Sequence, residues 1–194
     1  DGRSHSFADM FLPDCSSPTV TQQAVFDAVR NFDQPTLLIL EAPTGSGKTE
    51  TALYMADTWL QNNLGSGIYI AMPTQATSNQ MFGRVEKFLL NCYPRDMINL
   101  HLVHGGALLA EKDGNPKPLD IADDEFEPKA GSIRAQSWFL PRKRTLLAPF
   151  GVGTVDQTFL SVLQTRHFFV RLFGLGQKIV IFDEVHAYDT YMST

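Results

Sequence analysis

Positive charge is scarce in this chain. Sixteen Lys and Arg stand against 21 Asp and Glu, a net charge of −5. That excludes a general nucleic-acid coat, so any strand binding must come from a local basic or backbone-lined groove. Cysteine is almost absent: Cys15 and Cys92 show neither metal spacing nor a disulfide framework, so a reducing cytoplasm is expected. No apolar stretch approaches the ~18 residues of a membrane span and no signal peptide is visible, so no membrane partner is expected. There is no internal repeat and no low-complexity tract. The 194 residues fit one α/β domain with a proper core; two domains would be small. The chain begins at Asp1 and stops eight residues past His186, so both ends read as cut and a piece of something longer is expected.

What is present is phosphate chemistry. The apolar run Leu37-Leu38-Ile39-Leu40 leads into Ala42-Pro43-Thr44-Gly45-Ser46-Gly47-Lys48-Thr49, followed by Glu50. Gly45 and Gly47 let the backbone turn and aim successive N–H groups at phosphate oxygens, and the helix that follows adds its positive end. Lys48 would reach the β and γ phosphates of ATP, and the Thr49 hydroxyl would bind Mg²⁺. A second apolar run, Ile179-Val180-Ile181-Phe182, ends in Asp183-Glu184-Val185-His186. Asp183 would hold Mg²⁺ through water and Glu184 would orient or deprotonate the attacking water. His186 would couple hydrolysis to movement at a domain boundary. The two motifs together read as a nucleotide triphosphatase, and the Asp-Glu-Val-His spelling narrows it to ATP-driven motors on nucleic acid.

The periodicity predicts an arm or linker over residues 1–17, a helix over Val20–Phe32, a strand over Thr36–Glu41 and a helix over Lys48–Gln61. A strand at Ile68–Met72, a helix at Thr77–Asn91 and a strand at Ile98–Val103 follow, then a long, mobile surface insertion at 105–131. Beyond it we expect a strand near Thr145–Ala148, a loop at 149–153, helices near Val155–Leu163 and Phe168–Phe173, and a strand at 178–183. This alternation argues for an α/β fold: a RecA-like P-loop domain over 18–194, its sheet mostly parallel with helices on both faces.

Gln22, in Pro18-Thr19-Val20-Thr21-Gln22, either reads the adenine edge through its amide or belongs to a helix start capped by Thr19 or Thr21. Three further segments fall at expected strand ends or helix starts, where N–H groups and short hydroxyls can meet a phosphodiester chain. They are Pro73-Thr74-Gln75-Ala76-Thr77-Ser78-Asn79, His104-Gly105-Gly106 and Gly153-Thr154-Val155-Asp156-Gln157. Single-stranded DNA is the expected ligand, and ordinary caps and turns are the alternative. Arg142-Lys143-Arg144 reads as a solvated strand start more than a nucleic-acid path. Phe168, Phe169 and Phe173 read as core or a domain interface rather than base-stacking platforms.

Glu41–Ala52, Pro73–Ala76, Gly153–Gln157 and Asp183–Met192 together resemble the signature helicase–nuclease of type I CRISPR systems, within the superfamily 2 DEAD/DEAH-like helicases. The string Asp183-Glu184-Val185-His186-Ala187-Tyr188-Asp189 carries the specificity. The resemblance implies a metal nuclease domain, two RecA-like domains, and ATP-driven 3′-to-5′ travel on single-stranded DNA in a prokaryotic cytoplasm after recruitment by a guide-RNA surveillance complex. No His is followed by Asp, so the nuclease signature is absent, and the second RecA-like domain with its arginine fingers is expected beyond Thr194. Two other readings stand beside it. One is a P-loop phosphotransferase, against which the insertion counts because it has no Arg for a lid. The other is a nucleotide-binding module that turns nothing over in isolation.

Overall fold

The structure, a computed structural model, describes residues 5–29, 32–94, 98–103, 133–134, 145–163 and 168–188. The expected insertion at 105–131, together with His104 and the basic triplet 142–144, lies outside the described residues. The chain forms two compact units, residues 1–66 and 67–194.

The first unit is helical around an aromatic cluster. Helix α1 (Phe7–Phe11) begins at a capping box: the Ser6 N–H donates to Asp9 Oδ2 at 3.0 Å and the Asp9 N–H to Ser6 Oγ at 3.2 Å. Phe7, Met10 and Phe11, at i, i+3 and i+4, are buried on one face. The segment read as an arm therefore carries a short helix whose rings pack with the rest of the unit. The Phe7 ring lies 5.8 Å from Tyr54 on α3 (Lys48–Gln61) and 5.9 Å from Phe26 on α2 (Val20–Val29), and Phe26 and Tyr54 are 4.1 Å apart. Buried Asp57 on α3 meets His5 Nδ1 at 2.9 Å. The strand expected at Thr36–Glu41 is not in a ladder: residues 35–43 have no regular secondary structure. Leu37 and Ile39 are 84% and 74% exposed. The run has β propensity, but a strand needs a neighbour to take its N–H and C=O groups, and here it has none among the described residues.

The second unit is a parallel sheet. Strands β1 (Ile68–Met72), β2 (Ile98–Val103), β3 (Ile133–Arg134), β4 (Phe150–Thr154) and β5 (Ile179–Phe182) stand in the order β3-β2-β4-β1-β5, every pair parallel. Strand β1 is buried along its whole length, as a near-continuous apolar run in a parallel sheet should be. From β1 the chain crosses through α4 (Gln75–Cys92) to β2; from β4 it crosses the other way, through α5 (Asp156–Val162) and α6 (Phe168–Leu175), to β5. Right-handed crossovers in opposite directions put α4 and the α5–α6 pair on opposite faces. Tyr69 and Ala71 of β1 join Val103, Leu146, Val155 and Leu175 in one core cluster.

One strand lies elsewhere than expected. Thr145–Leu147 is a 3₁₀ turn, and the strand is Phe150–Thr154, where a loop was expected. Gly151 and Gly153 lower β propensity, yet Gly153 is required: a Cβ there would sit 2.1 Å from the Val103 carbonyl oxygen of β2 and 2.5 Å from the Tyr69 hydroxyl. Of the two roles expected for the phenylalanines, core or a domain interface, Phe169 and Phe173 do not take the first, being 61% and 79% exposed on α6. Neither Cys15 nor Cys92 is in a disulfide. Among the described residues no helix is long and apolar enough to cross a membrane.

Candidate functional site

The phosphate-type loop lies in the first unit. Gly45 and Gly47 take φ of +79° and +80°, and Gly47 is the N-cap of the 14-residue α3. That left-handed backbone is open to glycine at little cost. Lys48, the first residue of α3, folds back: its Nζ donates to the Ala42 carbonyl at 2.7 Å and to Pro43 at 2.9 Å. The Ser46 N–H donates to the Pro43 carbonyl at 3.2 Å, and the buried Ser46 hydroxyl has no hydrogen-bond partner among the described residues. Thr44 and Gly45 are exposed; Thr49 and Glu50 are half-buried on the first turn of α3.

Gln22 is fixed at both ends of its amide. Its Oε1 accepts from the Thr19 N–H at 2.8 Å while its own N–H donates to Thr19 Oγ1 at 3.3 Å, a capping box for α2. Its Nε2 donates to the Gly47 carbonyl at 3.1 Å. The Thr19 cap is thus present, and in addition the Gln22 side chain braces the phosphate-type loop, a contact that no local pattern announces. Thr21, Gln22, Val25, Leu40, Ala42, Ser46, Lys48 and Thr51 line a small open pocket.

The acidic pair lies in the second unit, at the carboxyl end of β5. The Asp183 N–H donates to the Ala71 carbonyl of β1 at 3.2 Å. Glu184 then takes φ +52° and ψ +41° before a 3₁₀ turn over Val185–Ala187. A left-handed Glu is uncommon and points to a turn fixed by its surroundings. Here the Glu184 N–H donates to Asp183 Oδ1 at 2.9 Å. Glu184 and His186 are exposed and Asp183 is half-buried. Tyr188 folds back and donates its hydroxyl to the same Ala71 carbonyl at 3.0 Å. Burial, then the Asp183 and Glu184 charges, raise the Tyr188 pKa, so it stays a neutral donor.

Because all the strands are parallel, the segments after β1 and β4 emerge at the same sheet edge as Asp183. Met72 is in register with Thr154, and Ala71 with Phe182, one residue before Asp183. Open α/β sheets bind ligands outside the carboxyl ends of their strands. Thr74 is the N-cap of α4, in a capping box with Thr77, with Gln75 and Asn79 exposed and Pro73 half-buried. Thr154 and Gly153 are buried at the end of β4, Asp156 is exposed, and Gln157 Oε1 accepts from Arg171 Nε at 3.5 Å. The Thr154 carbonyl accepts the Tyr69 hydroxyl at 3.1 Å. The structure thus gathers Pro73, Thr74, Gly153, Thr154 and Asp183 at one edge, and several of them also serve as caps and packing residues. His104 and Gly105 lie outside the described residues.

The sequence profile of the "DEAD/DEAH box helicase" family matches residues 19–115, half of the 194-residue chain. The CRISPR-associated endonuclease/helicase Cas3 of Thermus thermophilus is 44% identical over 188 residues, covering 96% of this chain and 20% of that protein. The CRISPR-associated nuclease/helicase Cas3 of Streptococcus thermophilus is 38% identical over 184 residues, covering 91% of this chain and 19% of its own length. The crystal structure of T. fusca Cas3-AMPPNP superposes with a TM-score of 0.77 at 36% identity, over 96% of this chain and 20% of that one. The chain therefore spans about one fifth of the relatives it matches. It is a homologue of the Cas3 nuclease/helicases, and it belongs to the DEAD/DEAH box helicase family.

Proposed function

We propose that this chain is the first RecA-like domain of a type I CRISPR interference effector, binding ATP–Mg²⁺ and single-stranded DNA and working as part of an ATP-dependent helicase or translocase. The observation that carries the reading is the loop at Gly45–Thr49. Two left-handed glycines and a lysine open a long helix, and the lysine rests on two carbonyl oxygens that an anion would replace. The likeness to Cas3-AMPPNP supports the same assignment.

On this reading Pro43, Thr44, Gly45, Ser46, Gly47, Lys48, Thr49 and Glu50 form the phosphate cradle, and Gln22 faces the nucleotide from beside it. The orphaned Ser46 hydroxyl fits a cradle built for an anion. Thr49 and Asp183 are the oxygen donors a hard divalent ion prefers, and bound Mg²⁺ would neutralise charge on the phosphates. Glu184 holds or takes the proton of the attacking water, and His186 passes the state of the site to a neighbouring domain. Pro73, Thr74, Gln75, Asn79, His104, Gly105, Gly153, Thr154, Asp156 and Gln157 line the path of the strand. A second RecA-like domain, a nuclease domain and a guide-RNA surveillance complex are the partners this implies.

Replacing Glu184 by Gln should spare nucleotide binding and stop hydrolysis in the full-length protein, because the carboxylate acts on the water rather than on the ground-state nucleotide. Phosphate release with and without single-stranded DNA is the readout. Turnover near the parent rate would overturn the role given to Glu184.

A further inference from the structure

The Ala71 carbonyl is shared. It accepts the Asp183 N–H at 3.2 Å, one residue past the end of β5. It also accepts the Tyr188 hydroxyl at 3.0 Å, which belongs to no ladder and ties the turn after the acidic pair down onto the end of β1. One residue later the Met72 carbonyl accepts the Val155 N–H at 2.9 Å, just before α5. Tyr69, on the same strand, reaches the Thr154 carbonyl with its own hydroxyl at 3.1 Å. The last residues of β1 are thus held on one side by the acidic turn and on the other by the segment that starts α5, and β1 runs directly into Pro73 and the Thr74 cap of α4.

We propose that Tyr188 is a positioning residue that couples the Asp183–Glu184 turn to the strand-end loops at Pro73–Thr74 and Thr154–Asp156, so that a shift of the acidic turn is passed to the DNA-facing loops through Ala71. This rests on the reading of those loops as the DNA path and of Glu184 as the hydrolytic carboxylate. The left-handed Glu184 makes the turn a discrete conformation rather than a soft one. The Tyr188 hydroxyl ties that turn to β1 in addition to the Asp183 N–H. Phe at position 188 keeps the ring, and the Ala71 carbonyl keeps the Asp183 N–H, so the change removes the tether without orphaning the acceptor.

The test is Tyr188→Phe in the full-length protein, with ATP turnover measured with and without single-stranded DNA. The expected result is basal turnover close to parent and DNA stimulation reduced about fivefold, the worth of one hydrogen bond, with DNA affinity little changed. A merely structural role would lower both rates in proportion. That outcome, or stimulation equal to parent, would overturn the coupling. A parent that DNA does not stimulate at all would overturn the DNA reading itself, so the two failures are distinguishable. Hydrogen exchange over residues 72–75 gives a readout independent of turnover. AMPPNP should change protection there in the parent and not in the variant; an equal change in both would also overturn the proposal.

Discussion

Two apolar runs of similar composition meet opposite fates in this molecule. Ile68-Tyr69-Ile70-Ala71-Met72 is the most deeply buried strand described, with Tyr69 and Ala71 at 0% exposure and β4 and β5 on its two sides. Leu37-Leu38-Ile39-Leu40, just before the phosphate-type loop, has no ladder partner among the described residues and leaves Ile39 at 74%. Propensity is alike in the two; neighbours are not. A strand is a property of its pairings, and only the first run has them.

That contrast can be broken or sharpened by substitution. The largest effect is expected at the paired run: Ile70→Ala, at a residue 1% exposed, should cost about 3–4 kcal/mol in a denaturant melt. A cost below about 1 kcal/mol would mean that the sheet is not the cooperative unit described.

A smaller effect comes from pH. His101 on β2 is buried, and burial, then the nearby Lys178 charge, lower its pKa to about 4. Lys178 itself is half-buried, desolvation lowering its pKa to about 8, and it donates to the Leu146 carbonyl at 2.6 Å. The unfolded chain holds the His101 proton up to its ordinary value of 6.5, so between 6.5 and about 4 the unfolded state binds more protons. The His101 contribution is therefore fully present above that window and should fall by about 2–3 kcal/mol as pH drops through it. Urea midpoints at neutral and acid pH check this, and His101→Leu should flatten the difference. An equally steep loss in the variant would place the proton elsewhere.

The smallest effect is expected at the unpaired run. Ile39→Ala should change the melt by less than about 0.5 kcal/mol, as at other exposed sites. A loss comparable to that of Ile70→Ala would show that residues 36–41 are packed in solution after all.

The sequence made legible whatever carries a local signature. Lys48–Gln61 is a helix over the span expected, because a glycine turn stops on one side and Asn62 ends the other. Ile68–Met72 and Ile98–Val103 match as well, being compact apolar runs between turn residues. Helix α4 begins at Gln75, two residues before the expected start, because Thr74 and Thr77 cap each other. Legibility fails where the deciding partner is far along the chain. Strand β4 hid behind Gly151 and Gly153, and the need for a missing Cβ at Gly153 is set by Val103 and Tyr69. Gln22 bracing Gly47 and Tyr188 tethering Ala71 are tertiary contacts across 25 and 117 residues, with no pattern in the intervening sequence. The candidate site follows the same rule: its motifs were readable as strings, whereas the arrangement of Thr74, Thr154 and Asp183 at one sheet edge needed the strand order.

The central claim is that the Gly45–Thr49 loop holds the phosphates of ATP, and the most direct measurement is titration of a fluorescent ATP analogue, with Mg²⁺, against the parent chain and Lys48→Ala. A charge-assisted phosphate contact is worth about 1.5–3 kcal/mol, so the substitution should weaken binding roughly 10- to 150-fold with the fold intact by circular dichroism. Equal affinities in the two proteins would contradict the account.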